Sequence, residues 1–266
     1  MKFLSLNVAL FEKNNKQLAN FLSEQKPDIL CLQEVTRRVD KSADADLISK
    51  DGIDASLPDL ADSFYSPTWI LSKFEKRNFH GQELFSRDFG GKLEFGTYIK
   101  SKFEISKAQN IFVLNHFTYS TDTSNWPEED YRAVQVSDLN VKGSKLRVLN
   151  YHGIWTQDKL GTDRTKRACE IIRDLALEVN YPTIICGDFN LFPDTDSMNV
   201  LNKHFVNLGD IYNIKTTRPE SNELSNQSRN VVDYIFVSKD IKVKSFEVQN
   251  TNVSDHLPLI LEFELE

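Results

Sequence analysis

Short runs of hydrophobic residues recur along most of the chain, separated by turn-forming or charged residues. Several of the runs alternate hydrophobic and polar positions, which is the period of a β-strand with one buried face. The sequence therefore predicts a protein built mainly from sheets, each with one face packed on another layer. Nine runs predict strands, at residues 2–10, 29–35, 96–100, 133–141, 145–151, 183–186, 231–237, 241–248 and 257–265.

Helical periodicity is clearest at residues 165–179. Shorter helices are predicted at 16–23 and 197–205, and two long polar stretches, 37–62 and 118–129, predict surface loops. The predicted architecture is therefore strand-rich, with a few helices between the strands. In the longest helix, hydrophobic residues three or four positions apart share one face, and these are Ala168, Ile171, Ile172, Leu175 and Val179.

Length, composition and cysteine content narrow the class of protein. A chain of 266 residues, 40% hydrophobic and 27% charged, fits one large domain over residues 1–266 better than two small ones. No hydrophobic run approaches the ~20 residues that span a bilayer. Three widely spaced cysteines match neither a disulfide framework nor a zinc motif. We therefore expect a cytoplasmic protein with buried free thiols and no membrane span, and we expect it to be a monomer.

The net charge of −7 bears on possible partners. A protein that holds long nucleic acid mainly through its phosphates normally carries a basic surplus. The acidic balance argues against tight, sequence-independent binding of duplexes, but it leaves a nucleic-acid substrate open.

Polar side chains stand at or next to the ends of several predicted strands, although Asn and Asp are depleted in strands. Carboxylates, carboxamides and imidazoles at several strand ends can converge on one patch, as active sites in layered sheet proteins do. The candidates are Asn7, Glu34, His152, Asp188, Asn190, Asp233, Asp255 and His256.

Most of these residues, taken singly, also have an explanation without function. Asn7 and Glu34 could be solvated strand ends, and Asp188 with its neighbours could form an ordinary turn. His152 could be satisfied by backbone groups, and Asp255 could cap a turn. Each of these residues alone is therefore weak evidence for an active site.

Asp233 is harder to explain in this way. It interrupts a hydrophobic run, with two apolar residues before it and four after it. A carboxylate in such a run must find a partner, since burying it alone carries a large desolvation cost.

Together these residues form six ordered fragments that resemble the endonuclease/exonuclease/phosphatase superfamily, which includes pancreatic deoxyribonuclease, exonuclease III, sphingomyelinases and inositol polyphosphate phosphatases. One fragment alone is weak evidence, but all six in family-like order and spacing, from residue 7 to 258, are specific. They are Leu6-Asn7-Val8, Leu32-Gln33-Glu34-Val35, Asn150-Tyr151-His152, Gly187-Asp188-Phe189-Asn190, Val232-Asp233-Tyr234-Ile235 and Ser254-Asp255-His256-Leu257-Pro258.

The resemblance implies a four-layer α-β-β-α sandwich, with two mixed β-sheets packed face to face and helices outside. It also implies a divalent metal ion, Mg²⁺ or Mn²⁺, held by Glu34 as the main ligand with Asp255 and the carbonyl of Asn7. These are hard oxygen donors of the kind that such ions prefer.

The resemblance further implies roles for the remaining candidates. Asp188 would orient and deprotonate the attacking water, and the Asn190 amide would donate to the phosphorane that develops. His256 would donate to a non-bridging oxygen with its ring held by Asp233. His152 would be a second imidazole at the phosphate, and Glu94 is a candidate to orient it.

Histidine at position 152 is found in the deoxyribonuclease and sphingomyelinase branches, whereas apurinic endonucleases have tyrosine there. We therefore predict a metal-dependent hydrolase of phosphate esters that acts on phosphodiesters rather than monoesters. We also predict poor activity on abasic-site duplexes. One alternative is a phosphatase of small phosphorylated metabolites, lipids or inositol phosphates. Another is a catalytically silent scaffold that keeps the fold for binding.

Overall fold

A computed structural model of the chain describes residues 1–9, 15–43, 49–77, 83–120, 126, 129–219 and 230–265. Within these residues, hydrogen bonds join the strands into two sheets. The strands are β1 (Lys2–Asn7), β2 (Ile29–Arg38), β3 (Asp62–Arg77), β4 (Glu83–Ser101), β5 (Glu104–Leu114), β6 (Thr118–Ser120), β7 (Arg132–Val141), β8 (Ser144–His152), β9 (Thr183–Asp188), β10 (Val206–Asn207), β11 (Asp233–Val237), β12 (Ile241–Val248) and β13 (Leu259–Leu265).

Both sheets contain parallel and antiparallel neighbours. In the described residues, one sheet has seven strands in the order β12-β13-β1-β2-β4-β3-β6, and the other has six in the order β10-β11-β9-β8-β7-β5. The pairs β1–β2 and β8–β9, near the middle of each sheet, are parallel. The carboxyl ends of paired parallel strands share one edge, and the site described below lies at these edges.

Helices cover the outer face of each sheet. Leu18 and Phe21 of the first helix pack against Leu30 in the seven-stranded sheet, and Ile172 and Met198 pack on the six-stranded sheet. The order of layers is therefore α-β-β-α, which confirms the predicted fold class. The helices are α1 (Asn15–Gln25), α2 (Ser49–Ser56), α3 (Asp163–Leu177), α4 (Asp196–Asn202) and α5 (Leu208–Ile211).

The central core lies between the two sheets. Because side chains alternate across a strand, Phe3 and Cys31 face the other sheet while their neighbours Leu4 and Leu30 face the helices. Cys186 enters the same core from the six-stranded sheet. All three cysteines are buried and free, as predicted. None of the helices in the described part of the chain is long and apolar enough to cross a membrane.

Three buried carboxamides bridge the sheets inside this core. Gln33 Nε2 of β2 donates to Asn150 Oδ1 of β8 at 2.7 Å. Asn150 Nδ2 donates to Gln135 Oε1 of β7 at 3.0 Å and to the Leu32 carbonyl at 3.1 Å. Gln135 Nε2 in turn donates to the Phe64 carbonyl of β3 at 2.8 Å. These bonds link strands of the two sheets and satisfy buried amide groups whose desolvation is costly; Gln33 Oε1 has no hydrogen-bond partner among the described residues.

Most predicted elements are present, with ends that differ by at most three residues where the structure describes them. The predicted strand 2–10 ends at Asn7, and Leu10 lies outside the described residues. The predicted loop 37–62 is wrong in part, because it contains α2. The predicted loop 118–129 begins with the short strand β6, and residues 121–125 and 127–128 lie outside the described part.

The largest error concerns the long pair β3–β4, of which only residues 96–100 were predicted. The ribbon carries many charged residues, so its sequence looks like a solvated loop. Its hydrophobic positions nevertheless form a buried cluster of their own, which includes Trp69, Phe74, Phe89 and Phe95. The edge strand β5 was missed for a related reason, because its side chains are only partly buried.

A buried ion pair joins the six-stranded sheet to α3. Asp138 of β7 and Arg147 of β8 face each other across the ladder, and two hydrogen bonds of 2.7 and 3.0 Å make the pair bidentate. Arg147 also donates to the Leu175 carbonyl of α3 at 2.8 Å. Burial tends to raise the pKa of Asp138, but the Arg147 guanidinium outweighs it and lowers the pKa below its ordinary value.

We predict that Asp138→Ala lowers the free energy of unfolding by about 3 kcal/mol, because it leaves the buried Arg147 guanidinium with only the largely exposed Glu178 carboxylate, 3.1 Å away, as a counter-charge. The control is Asp174→Ala, which breaks an ion pair whose aspartate side chain is 61% exposed and should cost at most about 1 kcal/mol. Urea unfolding measures both variants. Equal losses would contradict a structural role for the buried pair.

Candidate active site

The eight residues that the sequence singled out lie together at one edge of the two sheets. Asn7 ends β1, Asp188 ends β9 and His152 ends β8, while Asp233 begins the antiparallel strand β11. Backbone pairing sets His152 and Asp233 on either side of Asp188. The other four residues lie at the same edge. Glu34 is in β2, Asn190 comes after β9, and Asp255 and His256 come before β13.

Glu34 reaches this edge because β2 bulges. The register between β2 and β4 shifts between Leu32 and Val35, and Glu34 has φ = 58°. A non-glycine residue in this left-handed region is strained and persists where the surroundings impose it. Asn190, with φ = 55°, is a second such residue. Asparagine adopts this conformation more readily than most residues, so the strain lies at Glu34, and such strain is typical of a functional site.

Gly187 allows β9 to approach β8 closely next to Asp188. Its φ is 133°, and an added Cβ would collide with the Tyr151 carbonyl oxygen. The glycine of the Gly187-Asp188-Phe189-Asn190 fragment therefore has a steric purpose, which is to set Asp188 beside His152.

His256 and Asp233 form a buried dyad. Nδ1 of His256 lies 2.9 Å from both carboxylate oxygens of Asp233, so it donates there and Nε2 faces the site, 3.5 Å from Asp188 Oδ2. Burial tends to lower the pKa of His256, but the adjacent Asp233 carboxylate outweighs it and raises the pKa. Burial also raises the pKa of Asp233.

Asp188 is an ionised carboxylate held on both oxygens. Asn7 Nδ2 donates to its Oδ2 at 3.1 Å, and the Asn190 backbone N–H donates to its Oδ1 at 2.8 Å. Burial tends to raise the pKa of Asp188, but His256 and other cationic neighbours outweigh it and hold the pKa well below its usual range. Asp188 can therefore accept a hydrogen bond from water at neutral pH.

Arg132, rather than Glu94, orients His152. The Arg132 guanidinium donates to His152 Nδ1 at 3.0 Å and is itself held by Asp130 Oδ2 at 2.7 Å. Glu94 instead pairs with Arg37 at 2.6 Å, so the suggestion from the resemblance that Glu94 orients His152 is wrong.

A guanidinium donates hydrogen bonds and cannot accept them. Nδ1 of His152 is therefore the acceptor, and the proton of the neutral ring is on Nε2. Burial and the charge of Arg132 hold the pKa of His152 well below its ordinary value. The neutral ring presents Nε2–H towards Glu34 Oε1, which lies 3.5 Å away.

Lys159 fixes the Asn190 side chain. Its buried ammonium donates to Asn190 Oδ1 at 2.7 Å. Because an ammonium only donates, Asn190 Nδ2 points the other way, where it donates to the Gly153 carbonyl at 3.3 Å. Lys159 also lies 4.8 Å above the ring of Trp155.

Arg218 is a second buried guanidinium at the site. It donates to Asp255 Oδ2 at 3.0 Å and to the Asp255 carbonyl at 3.2 Å, and its Nε is buried without a hydrogen-bond partner among the described residues. Sequence reasoning missed Arg132, Lys159 and Arg218, since nothing in their local sequence distinguishes them from surface cations.

A cavity of about 450 Å³ opens onto these groups. Two kinds of side chain line it, one polar and one aromatic. The polar lining comprises Glu34, Thr68, Thr97, Arg132, His152, Asp188, Asn190, Arg218, Asp255 and His256. The arrangement joins an ionised carboxylate, two imidazoles and two guanidiniums, which is suited to an anionic substrate attacked by water.

Comparison with known proteins decides the family. The model of the endonuclease/exonuclease/phosphatase family matches residues 4–256, which is nearly the whole chain. The chain belongs to this family. No curated protein sequence matches it significantly.

Solved structures of the endonuclease/exonuclease/phosphatase family share the fold at low sequence identity. A family protein from Leptotrichia buccalis is 19% identical, with a TM-score of 0.68 and full coverage of both chains. A mannosyl-6-phosphatase from Bacteroides thetaiotaomicron is 14% identical, with a TM-score of 0.65 and full coverage of both chains. The catalytic domain of human Nocturnin is 18% identical, with a TM-score of 0.65, covering 100% of this chain and 93% of that one.

Members of the endonuclease/exonuclease/phosphatase family generally depend on a divalent metal ion, and this chain has side chains that suit one. Potential ligand atoms of Asp188, Asp233 and His256 lie within 4.8 Å of one another, although His256 Nδ1 is already bonded to Asp233. The carboxylates of Glu34 and Asp255 are more open, with 24% and 48% of the side chain exposed. Carboxylates open to a cavity suit a hard cation that keeps some of its waters.

Asn7 supports Glu34 in the present side-chain arrangement. Its Nδ2 donates to Glu34 Oε1 at 3.0 Å, and its Oδ1 accepts from the Ala9 backbone N–H at 3.1 Å. Its carbonyl would contact a metal ion only after rotation of the amide.

We predict that His152 is the neutral Nε2–H tautomer at neutral pH in the metal-free protein, because Arg132 donates to Nδ1. Long-range ¹H–¹⁵N NMR reports the protonation of each ring nitrogen, and His256 should show a protonated Nδ1. Arg132→Met should remove this preference, so that Nδ1 of His152 becomes protonated in part of the molecules. Arg167→Met, at a mostly exposed arginine, should change the protonation of neither ring. A protonated Nδ1 on His152 in the unmodified protein would contradict the assignment.

Proposed function

We propose that this protein is a divalent-metal-dependent hydrolase of phosphodiesters, and that residues 1–266 act as one domain. The observation that carries the proposal is the joining, at one cavity, of the ionised Asp188, the His256–Asp233 dyad and two buried guanidiniums. Phosphoryl transfer requires an oriented nucleophile and stabilisation of negative charge, and each of these groups provides one of the two.

Asp188 orients the water that attacks phosphorus. Asn7 and the Asn190 backbone fix its carboxylate, so the oxygen that faces the cavity is held in one direction. As the new P–O bond forms, the water loses a proton to this carboxylate, and the ester P–O bond on the opposite side breaks. The Asn190 amide, held by Lys159 and by the Gly153 carbonyl, has a second N–H with which it donates to the phosphorane oxygens.

Imidazoles and guanidiniums hold the phosphate. His256 donates from Nε2 to a non-bridging oxygen, and its raised pKa favours the protonated ring that donates best. His152 donates from Nε2 as a neutral ring. Arg132 and Arg218 supply fixed positive charge, and both are less than 10% exposed, which strengthens their effect on a bound anion.

Glu34 and Asp255 hold the metal ion, which we propose to be Mg²⁺ or Mn²⁺, and Asn7 positions Glu34 or ligates through its carbonyl. When bound, the ion supplies Lewis-acid stabilisation to an oxygen of the phosphate ester. A carboxylate pair, with no cysteine pair and no set of three histidines beside it in the described part of the chain, suits these hard cations better than zinc.

The charge of the site favours a diester over a monoester. Five carboxylates (Glu34, Asp130, Asp188, Asp233 and Asp255) face three cationic side chains and the His256 ring, so the net charge is about −1 with that ring protonated. A divalent ion changes it to about +1, which matches the single charge of a phosphodiester. A monoester carries up to two charges, so its phosphatase would be expected to present a more cationic pocket.

We predict that activity on bis(p-nitrophenyl) phosphate disappears with EDTA and returns with Mg²⁺ or Mn²⁺. Glu34→Gln should weaken Mn²⁺ binding, measured by calorimetry, by about tenfold or more, whereas Glu178→Gln, at an exposed glutamate 64% accessible, should not. Full activity after exhaustive chelation would contradict metal dependence, and metal binding with no hydrolysis of any phosphate ester would indicate the silent scaffold.

A second prediction concerns the dyad. Asp233→Asn and His256→Ala should each lower kcat, and the double variant should be little worse than His256→Ala, because Asp233 acts through the ring that this variant removes. Steady-state kinetics of the four proteins give the coupling. Losses in the double variant equal to the sum of the single losses, in free energy, would count against the dyad.

A further inference from the structure

The cavity beside the proposed catalytic groups has a second, aromatic lining that the phosphate chemistry leaves unexplained. Five aromatic side chains contribute to it: Trp69 and Phe74 of β3, Phe95 of β4, Trp126 and Trp155. We call them the aromatic wall. They come from the β3–β4 ribbon and from two segments outside the sheets, none of which belongs to the six fragments that carry the family resemblance.

Three rings of the wall contact one another in a row. Phe74 and Trp126 meet edge to face with centroids 5.7 Å apart, and Trp126 and Trp155 are tilted at 5.0 Å. Trp155 lies under Lys159, which holds Asn190. The row of rings therefore leads from the ribbon to the polar end of the cavity, within the reach of one bound molecule.

The aromatic wall includes side chains outside the buried core of the β3–β4 ribbon. Trp69, Phe74 and Phe95 are buried, but Trp126 and Trp155 are only half-buried and line open space. Large aromatic side chains that keep part of their surface open beside polar catalytic groups are typical of ligand sites.

Hydrogen-bonding groups are scarce along the wall. Among the described residues lining that part of the cavity, the hydrogen-bonding side-chain groups are the hydroxyls of Thr68 and Thr97 and the indole N–H groups of the three tryptophans. Thr68 already donates to the Phe95 carbonyl at 3.0 Å, and an indole offers a single donor and no acceptor. A sugar or inositol needs several partners for its hydroxyls, because each one buried without a partner costs free energy. A flat apolar ring needs none.

We propose that the aromatic wall binds a flat aromatic ring in the organic part of the phosphate ester, either a nucleobase or an aryl group, while the polar end holds the phosphate. This substrate class rests on the proposed function. Stacking of a base on an aromatic side chain is worth about 1–3 kcal/mol, or about 5- to 150-fold in affinity, and tolerates any base because each has a π-face.

Binding tests the wall without turnover. Calorimetry with Mg²⁺, in an Asp188→Asn background, compares thymidine 5′-phosphate with 1,2-dideoxyribose 5-phosphate, which keeps the sugar and phosphate but lacks the base. We expect thymidine 5′-phosphate to bind at least about fivefold more tightly. Phenyl phosphate separates the two sources of the ring: affinity equal to that of thymidine 5′-phosphate assigns the wall to aryl esters, and weaker affinity to nucleobases.

Trp155→Leu removes the ring and keeps hydrophobic volume. It should lower the affinity for thymidine 5′-phosphate to that of the abasic ligand, whose own affinity should not change. Trp155→Phe should retain most of the preference, and Tyr212→Leu, at an aromatic residue that does not line the cavity, should leave it intact. Melting temperatures verify that the variants fold.

Three results would overturn the proposal. They are equal affinity for the two ligands in the parent protein, tighter binding of mannose 6-phosphate than of thymidine 5′-phosphate, and equal weakening of both ligands by Trp155→Leu. Hydrolysis is scored separately on thymidylyl-(3′→5′)-thymidine. Its failure with Mg²⁺ and Mn²⁺ would count against the proposed function, while the binding series would still decide whether the wall holds a ring.

Discussion

The hydrogen bonds among Gln33, Asn150 and Gln135 fix the two sheets relative to each other, and the site depends on that alignment. One sheet supplies Asn7 and Glu34, and the other supplies His152, Asp188 and Asp233. The carboxamides sit directly beneath them, since Gln33 precedes Glu34 and Asn150 lies two residues before His152. Hydrophobic packing alone would tolerate small shifts between sheets, but a shift would leave buried amides unpaired at a cost of about 1–3 kcal/mol each.

The site concentrates features that a protein selected only for stability would avoid. Glu34 and Asn190 hold left-handed backbone conformations, and three buried carboxylates lie near two imidazoles. Each charge is compensated by a specific neighbour: Asp188 by His256, Asp233 by the same ring, and Asp130 by Arg132. The compensation is local and directional, so loss of one member changes the orientation or protonation of the next.

Much of this was accessible from the sequence. Strands whose alternation is regular were predicted nearly to the residue, and Asp233 stood out because its hydrophobic neighbours required a buried partner for it. The β3–β4 ribbon was not predicted, because the charged face of an exposed ribbon gives the same composition as a loop. The family resemblance made Glu94 a candidate to orient His152, but pairing across the sheet brings it to Arg37.

The contributions of Arg132, Lys159 and Arg218 arise from contacts between residues 20 to 37 positions apart in the chain, so no local pattern indicates them. The aromatic wall was hidden for the same reason. Its rings lie on separate segments that the fold brings together, and each one alone is an ordinary hydrophobic residue.

The proposed chemistry depends most on Asp188, which orients the water that attacks a phosphate ester. The most direct test is the steady-state kinetics of Asp188→Asn on bis(p-nitrophenyl) phosphate with saturating Mg²⁺ or Mn²⁺, beside Asp174→Asn as a control. We expect kcat to fall by about 10²- to 10⁴-fold while KM changes little, because the carboxylate acts mainly in the transition state. A kcat for Asp188→Asn within about threefold of the parent protein would contradict it.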